Sequence, residues 1–151
     1  MSEQTPLHIV AYCCEHCAYA AADLAGGLRL QYPPDVKVVQ IPCTGRLDVL
    51  NVLHAFEDGA DGVMVAGCLP GNCHYLEGNI NAKRRVRHVK KLLAQIGLEP
   101  ERVEMFNMSS AMAAEFAARV KEMSERIRGL GPSPLRAPLN TPTTSERESK
   151  A

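Results

Sequence analysis

The 151-residue sequence lacks any long hydrophobic segment. Nowhere does it hold a run of about eighteen apolar residues, the length that marks a membrane span. Its opening residues also lack the basic stretch and apolar run of a secretory signal. We therefore expect a cytoplasmic protein with no membrane contact. In that compartment cysteines are kept reduced, so structural disulfides are not expected either.

Signatures of nucleotide binding and of hydrolysis are also missing. The glycines form neither G-x-G-x-x-G nor G-x-x-x-x-G-K-S/T, the patterns that cradle phosphates. None of the six cysteines is followed six positions later by arginine, as the nucleophile of a cysteine phosphatase would be. The sequence thus shows no hydrolytic machinery, and whether the protein is itself an enzyme stays open.

What the sequence does contain is six cysteines, all within its first 73 residues. A chain of this length buries a core without disulfides to hold it together. Six cysteines in a cytoplasmic chain therefore indicate metal binding or redox chemistry. The cysteines are Cys13, Cys14, Cys17, Cys43, Cys68 and Cys73.

Apolar β-branched runs alternate with segments of helical periodicity, which predicts a βαβαβαβα order. The predicted strands cover residues 7–12, 36–41, 62–66 and 103–106, and the predicted helices cover 15–32, 46–57, 79–96 and 111–130. This order favours an α/β fold with a mostly parallel, four-stranded open sheet covered by helices, as in flavodoxin-like or Rossmann-like proteins. We expect one domain over 1–131 and a disordered tail over 132–151, which is rich in Pro, Ser and Thr.

All six cysteines fall at or just beyond the carboxyl ends of predicted strands. Loops leaving parallel strands converge at that edge, so thiols distant in sequence are expected to meet there. Cys14 and Cys17 form a C-x-x-C that we place on the first turn of a helix, with both sulfurs on one face. The amides of a helix N-terminus would favour their thiolate forms.

Four thiolates suit either an iron–sulfur cluster or a structural zinc ion, and spacing alone does not separate the two. A domain that builds its own core has less need of zinc for folding, which favours a redox cluster. A thiol–disulfide oxidoreductase or redox sensor that uses Cys14 and Cys17 is the alternative. It would leave Cys43, Cys68 and Cys73 without a role.

Four stretches carry a resemblance to a known family: "YCCEHCAYAAADLAG", "QIPCTGRLD", "AFEDGADGVMVAGCLPGNCHYLEGN" and "KRRVRHVKKLLAQIGLEPERV". Over residues 7–131 the sequence resembles the delta, iron–sulfur subunit of methyl-viologen-reducing hydrogenase. The resemblance implies a 2Fe-2S protein that relays single electrons without catalysing a reaction of its own. The donor would be a hydrogenase, a formate dehydrogenase or another enzyme, and the acceptor the flavin-containing A subunit of heterodisulfide reductase.

The family motifs match Cys14 and Cys17, Cys43 to Arg46, and Gly67 to Tyr75. Four of these five cysteines are needed, and we expect Cys14, Cys17, Cys68 and Cys73 to bind the cluster, with Cys43 as a substitute or neighbour. Cys13 should be dispensable, because adjacent side chains on an extended chain point to opposite sides. Glu15 and His16 replace the usual Asn-Trp, and Leu69 replaces a usual His. His74 is a candidate to hydrogen-bond a sulfur or to cap its loop.

Charge is distributed unevenly along the chain, although the formal net charge is zero. Residues 1–80 hold three basic and nine acidic side chains, whereas residues 81–151 hold fourteen and eight. The basic residues concentrate on the third predicted helix, between Lys83 and Lys91. With no aromatic residues there for base stacking, this pattern favours docking to a protein over binding nucleic acid.

Overall fold

The computed structural model describes residues 6–73 and 75–136. Most of the predicted tail, from residue 137 onward, lies outside the described residues, as does His74 with its suggested role. The predicted domain boundary at residue 131 stays a prediction.

Four strands and four helices alternate along the chain, as predicted. The strands are β1 (Ile9–Cys14), β2 (Val36–Ile41), β3 (Gly62–Gly67) and β4 (Val103–Asn107). The helices are α1 (Ala18–Gly27), α2 (Val49–Glu57), α3 (Gly78–Gln95) and α4 (Ala113–Leu130). Two 3-10 turns, Thr44–Arg46 and Pro100–Arg102, precede α2 and β4.

The four strands form one parallel sheet in the order β2-β1-β3-β4. This confirms the predicted α/β fold, and the order is that of flavodoxin-like sheets. The chain moves from β1 to one side and later returns to pair β3 on the other side. Between β1 and β3 lies the switch point, where the loops at the carboxyl ends diverge and open a crevice.

Two apolar layers hold the helices on the sheet. Helices α1 and α4 cover one face, where Phe116, Val120 and Met123 of α4 are fully buried. Helices α2 and α3 cover the other face, where Val89 and Leu93 of α3 are fully buried. Each such side chain contributes about 2 kcal/mol by leaving water. Within the part of the chain that the structure describes, no helix has the length and apolarity to cross a membrane.

At the outer edge of the sheet, Glu104 of β4 forms contacts with both neighbouring helices. Glu104 accepts a hydrogen bond from the Met105 backbone N–H at 3.2 Å and pairs with Lys90 of α3 at 2.9 Å and Arg126 of α4 at 3.0 Å. Burial raises the pKa of Glu104, but these donors outweigh it and hold that pKa below its ordinary value. One carboxylate thus links both helical layers and blunts an edge that would otherwise pair with another strand.

Candidate metal centre

Cys14 and Cys68 flank the switch point of the sheet. Cys14 is the last residue of β1, and Cys68 directly follows β3, the neighbouring strand. Their sulfurs lie 3.6 Å apart, and both residues are buried. Cys17 joins them, so that the three sulfurs all lie within 4.8 Å of one another. The parallel topology has therefore brought together thiols that are 54 residues apart in sequence.

Cys43 and Cys73 form a second pair beside this group. Their sulfurs lie 3.9 Å apart. Cys43 follows β2 and precedes the 3-10 turn, where the Gly45 N–H donates to its sulfur at 3.3 Å. Cys14, Cys43, Cys68 and Cys73 belong to one cluster of buried residues, and the partly buried Cys17 packs against that cluster. Five sulfurs thus share one small region at the carboxyl edge of the sheet.

Glycine at the start of α3 makes room for the second pair. A methyl group at Gly78 would overlap the Cys43 sulfur and lie 3.2 Å from the Cys73 sulfur. One at Gly45 would lie 2.7 Å from the Gly78 Cα. The backbone of α3 therefore approaches the 3-10 turn so closely that only hydrogen fits between them, and two sulfurs occupy the space that side chains would fill.

Burial and hydrogen bonding shift the pKa values of four of the five thiols in different directions. It raises the pKa of Cys17, of Cys43 and of Cys68, and neighbouring thiols reinforce the effect at Cys68. Burial also acts on Cys73, but backbone N–H groups of Asn79, Tyr75 and Gly78 donate to its sulfur and lower its pKa below the ordinary value. Most of this set therefore resists ionisation unless a cation compensates the thiolate charge.

Cys13 is separated from the sulfur cluster, as alternation along β1 predicts. It is fully buried on the sheet face covered by α1 and α4, and its thiol lies 3.8 Å from the Ala11 carbonyl oxygen. Burial raises the pKa of Cys13 to about 12. This cysteine packs as a small apolar side chain.

In the two close pairs, the sulfur–sulfur distance matches that between two thiolate ligands of one metal. Bonds of about 2.3 Å at tetrahedral angles place two ligand sulfurs about 3.8 Å apart. The measured separations, 3.6 Å and 3.9 Å, lie on either side of that value. Thiolates are the ligands that iron–sulfur clusters and structural zinc ions share, so the donor set fits either.

The structure brings together all five predicted site residues but corrects one local expectation. Cys14 and Cys17 do not lie on the first turn of a helix: Cys14 ends β1, and Cys17 is the N-cap of α1. Their sulfurs converge because the chain turns between strand and helix. The Ala18 N–H at the start of α1 does donate to the Cys14 sulfur, at 3.4 Å.

Three residues near the sulfurs escaped the sequence analysis. Gly78 touches the second pair, while Asn79 and Asn107 donate to the backbone carbonyl of Cys68. The only sequence signals are a Gly-Asn step at a predicted helix start and a polar residue directly after a predicted strand. Neither signal indicates a metal site by itself.

Comparison with known proteins agrees with the geometry. The family model for the delta subunit of methyl-viologen-reducing hydrogenase matches residues 9–131. The chain belongs to this family. The match includes all four strands, all four helices and all six cysteines, and it confirms the resemblance carried by the cysteine motifs.

Individual relatives cover the chain to a similar extent. It is 52% identical over 132 residues to the F420-non-reducing hydrogenase vhu iron-sulfur subunit of Methanopyrus kandleri, covering 87% of this chain and 98% of that protein. Identity to the protein of the same name from Methanocaldococcus jannaschii is 49% over 129 residues, or 85% and 96% of the two chains.

A third relative has a different organisation. The A subunit of the ferredoxin/F(420)H(2)-dependent CoB-CoM heterodisulfide reductase of Methanosarcina acetivorans is 40% identical over 124 residues. The match covers 82% of this chain but 16% of that protein. In that relative, a region similar to the delta subunit is thus part of a much longer heterodisulfide reductase chain.

Proposed function

We propose that this protein is an iron–sulfur electron-transfer subunit that relays single electrons from a hydrogenase or another donor enzyme to a flavoprotein like the A subunit of heterodisulfide reductase. The strongest support comes from two pairs of thiols, Cys14 with Cys68 and Cys43 with Cys73. In each pair the sulfurs are spaced like two ligands of one tetrahedral metal. When bound, a 2Fe-2S cluster supplies reversible one-electron exchange between ferric and ferrous iron. The protein supplies the thiolates, the surrounding amides and a fold that shields them.

The distances favour a particular ligand set for that cluster. Cys14 with Cys68 would bind one iron, and Cys43 with Cys73 the other, since each pair has the spacing for one metal. Cys17, less buried than the other four, would then be the spare thiol. This set differs from the sequence-based prediction, in which Cys17 is a ligand and Cys43 its substitute.

The alternative of thiol–disulfide exchange receives less support. A redox-active thiol is normally activated by a lowered pKa. Here burial raises the pKa of Cys17, the second cysteine of the C-x-x-C. Moreover, Cys17 meets Cys68 as well as Cys14, and a dithiol enzyme has no use for a third sulfur within 4.8 Å.

We propose that the exposed surface beside the sulfurs binds the partner proteins. Tyr75 and Leu76 are exposed in the loop that carries Cys73, and Leu76 is 81% exposed at a positive φ of 65°. The His16 ring, in the turn that carries Cys17, lies 6.0 Å from the Tyr75 ring. Between this loop and Cys43 lies a cavity of about 490 Å³. Electron transfer requires redox groups to approach closely, so we place the donor and acceptor proteins on this edge.

Metal analysis of anaerobically purified protein tests the function. We expect about two iron and two sulfide per chain, with the visible absorption and reduced-state EPR signal of a 2Fe-2S centre. Zinc in place of iron would indicate a structural site, and protein with no metal would favour thiol chemistry. Single Cys→Ser variants at the six positions then assign the ligands. Iron should fall in the Cys14, Cys43, Cys68 and Cys73 variants and stay unchanged in Cys13→Ser and Cys17→Ser.

A further inference from the structure

Asn79 interacts with both ends of the loop from Cys68 to Cys73, which we call the cysteine loop. It is the second residue of α3 and only 2% exposed. Its side-chain Nδ2 donates to the carbonyl oxygens of Cys68, at 3.1 Å, and Leu69, at 3.0 Å. Its backbone N–H donates to the Cys73 sulfur. One residue therefore connects the thiol after β3 with the thiol before α3.

The Asn79 side chain is held in this orientation at a cost. Its Oδ1 is buried and has no hydrogen-bond partner among the described residues. Because both carbonyls can only accept, Nδ2 must face them, and Oδ1 is left unpaired. A buried acceptor without a donor is unfavourable. If the Asn79 side chain only filled space, an apolar side chain of similar size would fill it without this penalty.

Asn107 donates to the same carbonyl from a different element. It is the last residue of β4, and its Nδ2 donates to the Cys68 carbonyl oxygen at 2.6 Å. The backbone directly after β3 thus accepts two side-chain amides, one from α3 and one from β4. Two donors on one carbonyl fix the peptide plane of Cys68, and with it the direction of the Cα–Cβ bond toward Cys14.

We propose that Asn79 and Asn107 are positioning residues that hold the Cys68 thiolate in its binding geometry and set the reduction potential of the bound cluster. This inference rests on the proposed function. Partners beyond the ligands orient them, and their loss typically weakens metal binding about 10- to 100-fold. Neither side-chain amide donates to a sulfur, so each acts on the cluster through the position of the Cys68 thiolate. A displaced ligand changes the reduction potential of the cluster.

The test compares cluster retention and potential in the cluster-loaded full chain. Asn79→Ala should release iron to a chelator about tenfold faster than the parent, and its midpoint potential should shift from the parental value, because the Cys68 thiolate is no longer held in place. Asn107→Ala should show a smaller effect, since Asn79 still holds the carbonyl. The double variant should exceed the product of the two single effects, because each amide substitutes for the other at one acceptor.

Two controls separate positioning from general stability. Asn81→Ala removes a like side chain two residues further along α3, where it makes no hydrogen bond to the described residues, and should behave as the parent does. Val52→Ala truncates a buried side chain of α2, which lowers stability without removing a hydrogen bond to the loop that carries Cys68 and Cys73. Release no faster in Asn79→Ala than in Val52→Ala, with an unchanged potential, overturns the inference while leaving the proposed function intact. A parent that holds zinc or no metal overturns both.

Discussion

Gly78 lies where two cysteine side chains and a neighbouring turn come together. An added methyl group there would overlap the Cys43 sulfur, which is the free end of a side chain that turns about one bond. Rotation of Cys43 would therefore relieve the clash at little cost to the fold. The same rotation would take its sulfur away from Cys73. A substitution at Gly78 should therefore affect metal binding more than it affects folding.

We predict that Gly78→Ala folds but loses its cluster. The free energy of unfolding of the metal-free protein should change by less than about 1 kcal/mol, while bound iron falls well below the parent value. Gly129→Ala is the matched control, because a methyl group at Gly129 in α4 meets nothing within 4 Å. It should keep full iron and gain up to about 1 kcal/mol of helix stability. Full iron occupancy with a parental spectrum in Gly78→Ala would show that the approach of α3 is not needed.

At this scale the sequence identified the chemistry but not the pairing. Cysteines at the carboxyl ends of successive strands must converge in a parallel sheet, so their gathering was predictable. The pairing of Cys43 with Cys73 depends on how closely α3 approaches the turn at Gly45. That distance is set by tertiary packing, which residue spacing does not encode. The amide donors Asn79 and Asn107 depend on the same packing.

The elements themselves were predicted unevenly, for reasons that individual residues explain. β2 has the predicted bounds, whereas β1 runs two residues later, because Cys13 and Cys14 pair with Gln40 and Ile41. α1 is shorter at both ends than the predicted 15–32. Its carboxyl end follows the Gly26-Gly27 step, after which Arg29 adopts a positive φ of 56°. Apolar periodicity continues past that point, but a left-handed residue ends the helix.

Helix α3 uses its basic residues for different purposes. Arg85 turns inward and donates to the carbonyl oxygens of Gly45 and Leu47, which anchors the turn after Cys43. Lys90 pairs with Glu104. By contrast, Arg84 and Arg87 are exposed and belong to no ion pair within the described ranges. Only part of the basic run is therefore free to attract a partner.

We predict that reversing Arg84 and Arg87 to Glu slows association with the proposed flavoprotein partner at low salt. Exposed charges mainly steer the encounter, and salt screens them over about 10 Å at 0.1 M. The association rate should therefore converge with that of the parent as ionic strength rises, while the cluster spectrum stays unchanged. Stopped-flow or surface-binding kinetics across a salt series measure this.

Arg85→Glu supplies the contrast for that experiment. It removes two hydrogen bonds to the turn that carries Cys43, so it should disturb stability and iron content rather than the salt dependence. If the Arg84 and Arg87 double variant associates at the parental rate at every ionic strength, these charges are simply solvated and α3 has no steering role.

The molecule as a whole divides into two ends with different tasks. The carboxyl edge of the sheet gathers the thiols, whereas the opposite end gathers buried polar groups that hold the chain together. There the fully buried Asp61 carboxylate accepts from the backbone N–H groups of His8 at 2.9 Å and Ser133 at 2.8 Å. Arg136 pairs with it at 3.3 Å and also donates to the Pro6 carbonyl oxygen. Segments from both ends of the described chain thus meet on one carboxylate.

These contacts of His8, Ser133 and Arg136 with Asp61, which we call the clamp, make the predicted domain boundary testable. A chain truncated after Gly131 loses Ser133 and Arg136, leaving a buried carboxylate with a single donor. Breaking such a buried pair should cost about 3 kcal/mol and lower Tm by about 10 °C. Truncation after Arg136 keeps every one of these contacts and should melt with the full chain.

Asp61→Asn in the shorter chain separates the loss of charge pairing from the loss of chain length. A neutral amide is less costly to leave partly unpaired than a carboxylate, so the substitution should restore part of the lost Tm in the chain ending at Gly131. In the full chain it should lower Tm instead, because Arg136 loses its charged partner. Equal melting of the two truncated chains would mean that the clamp contributes nothing, and the boundary at residue 131 would stand.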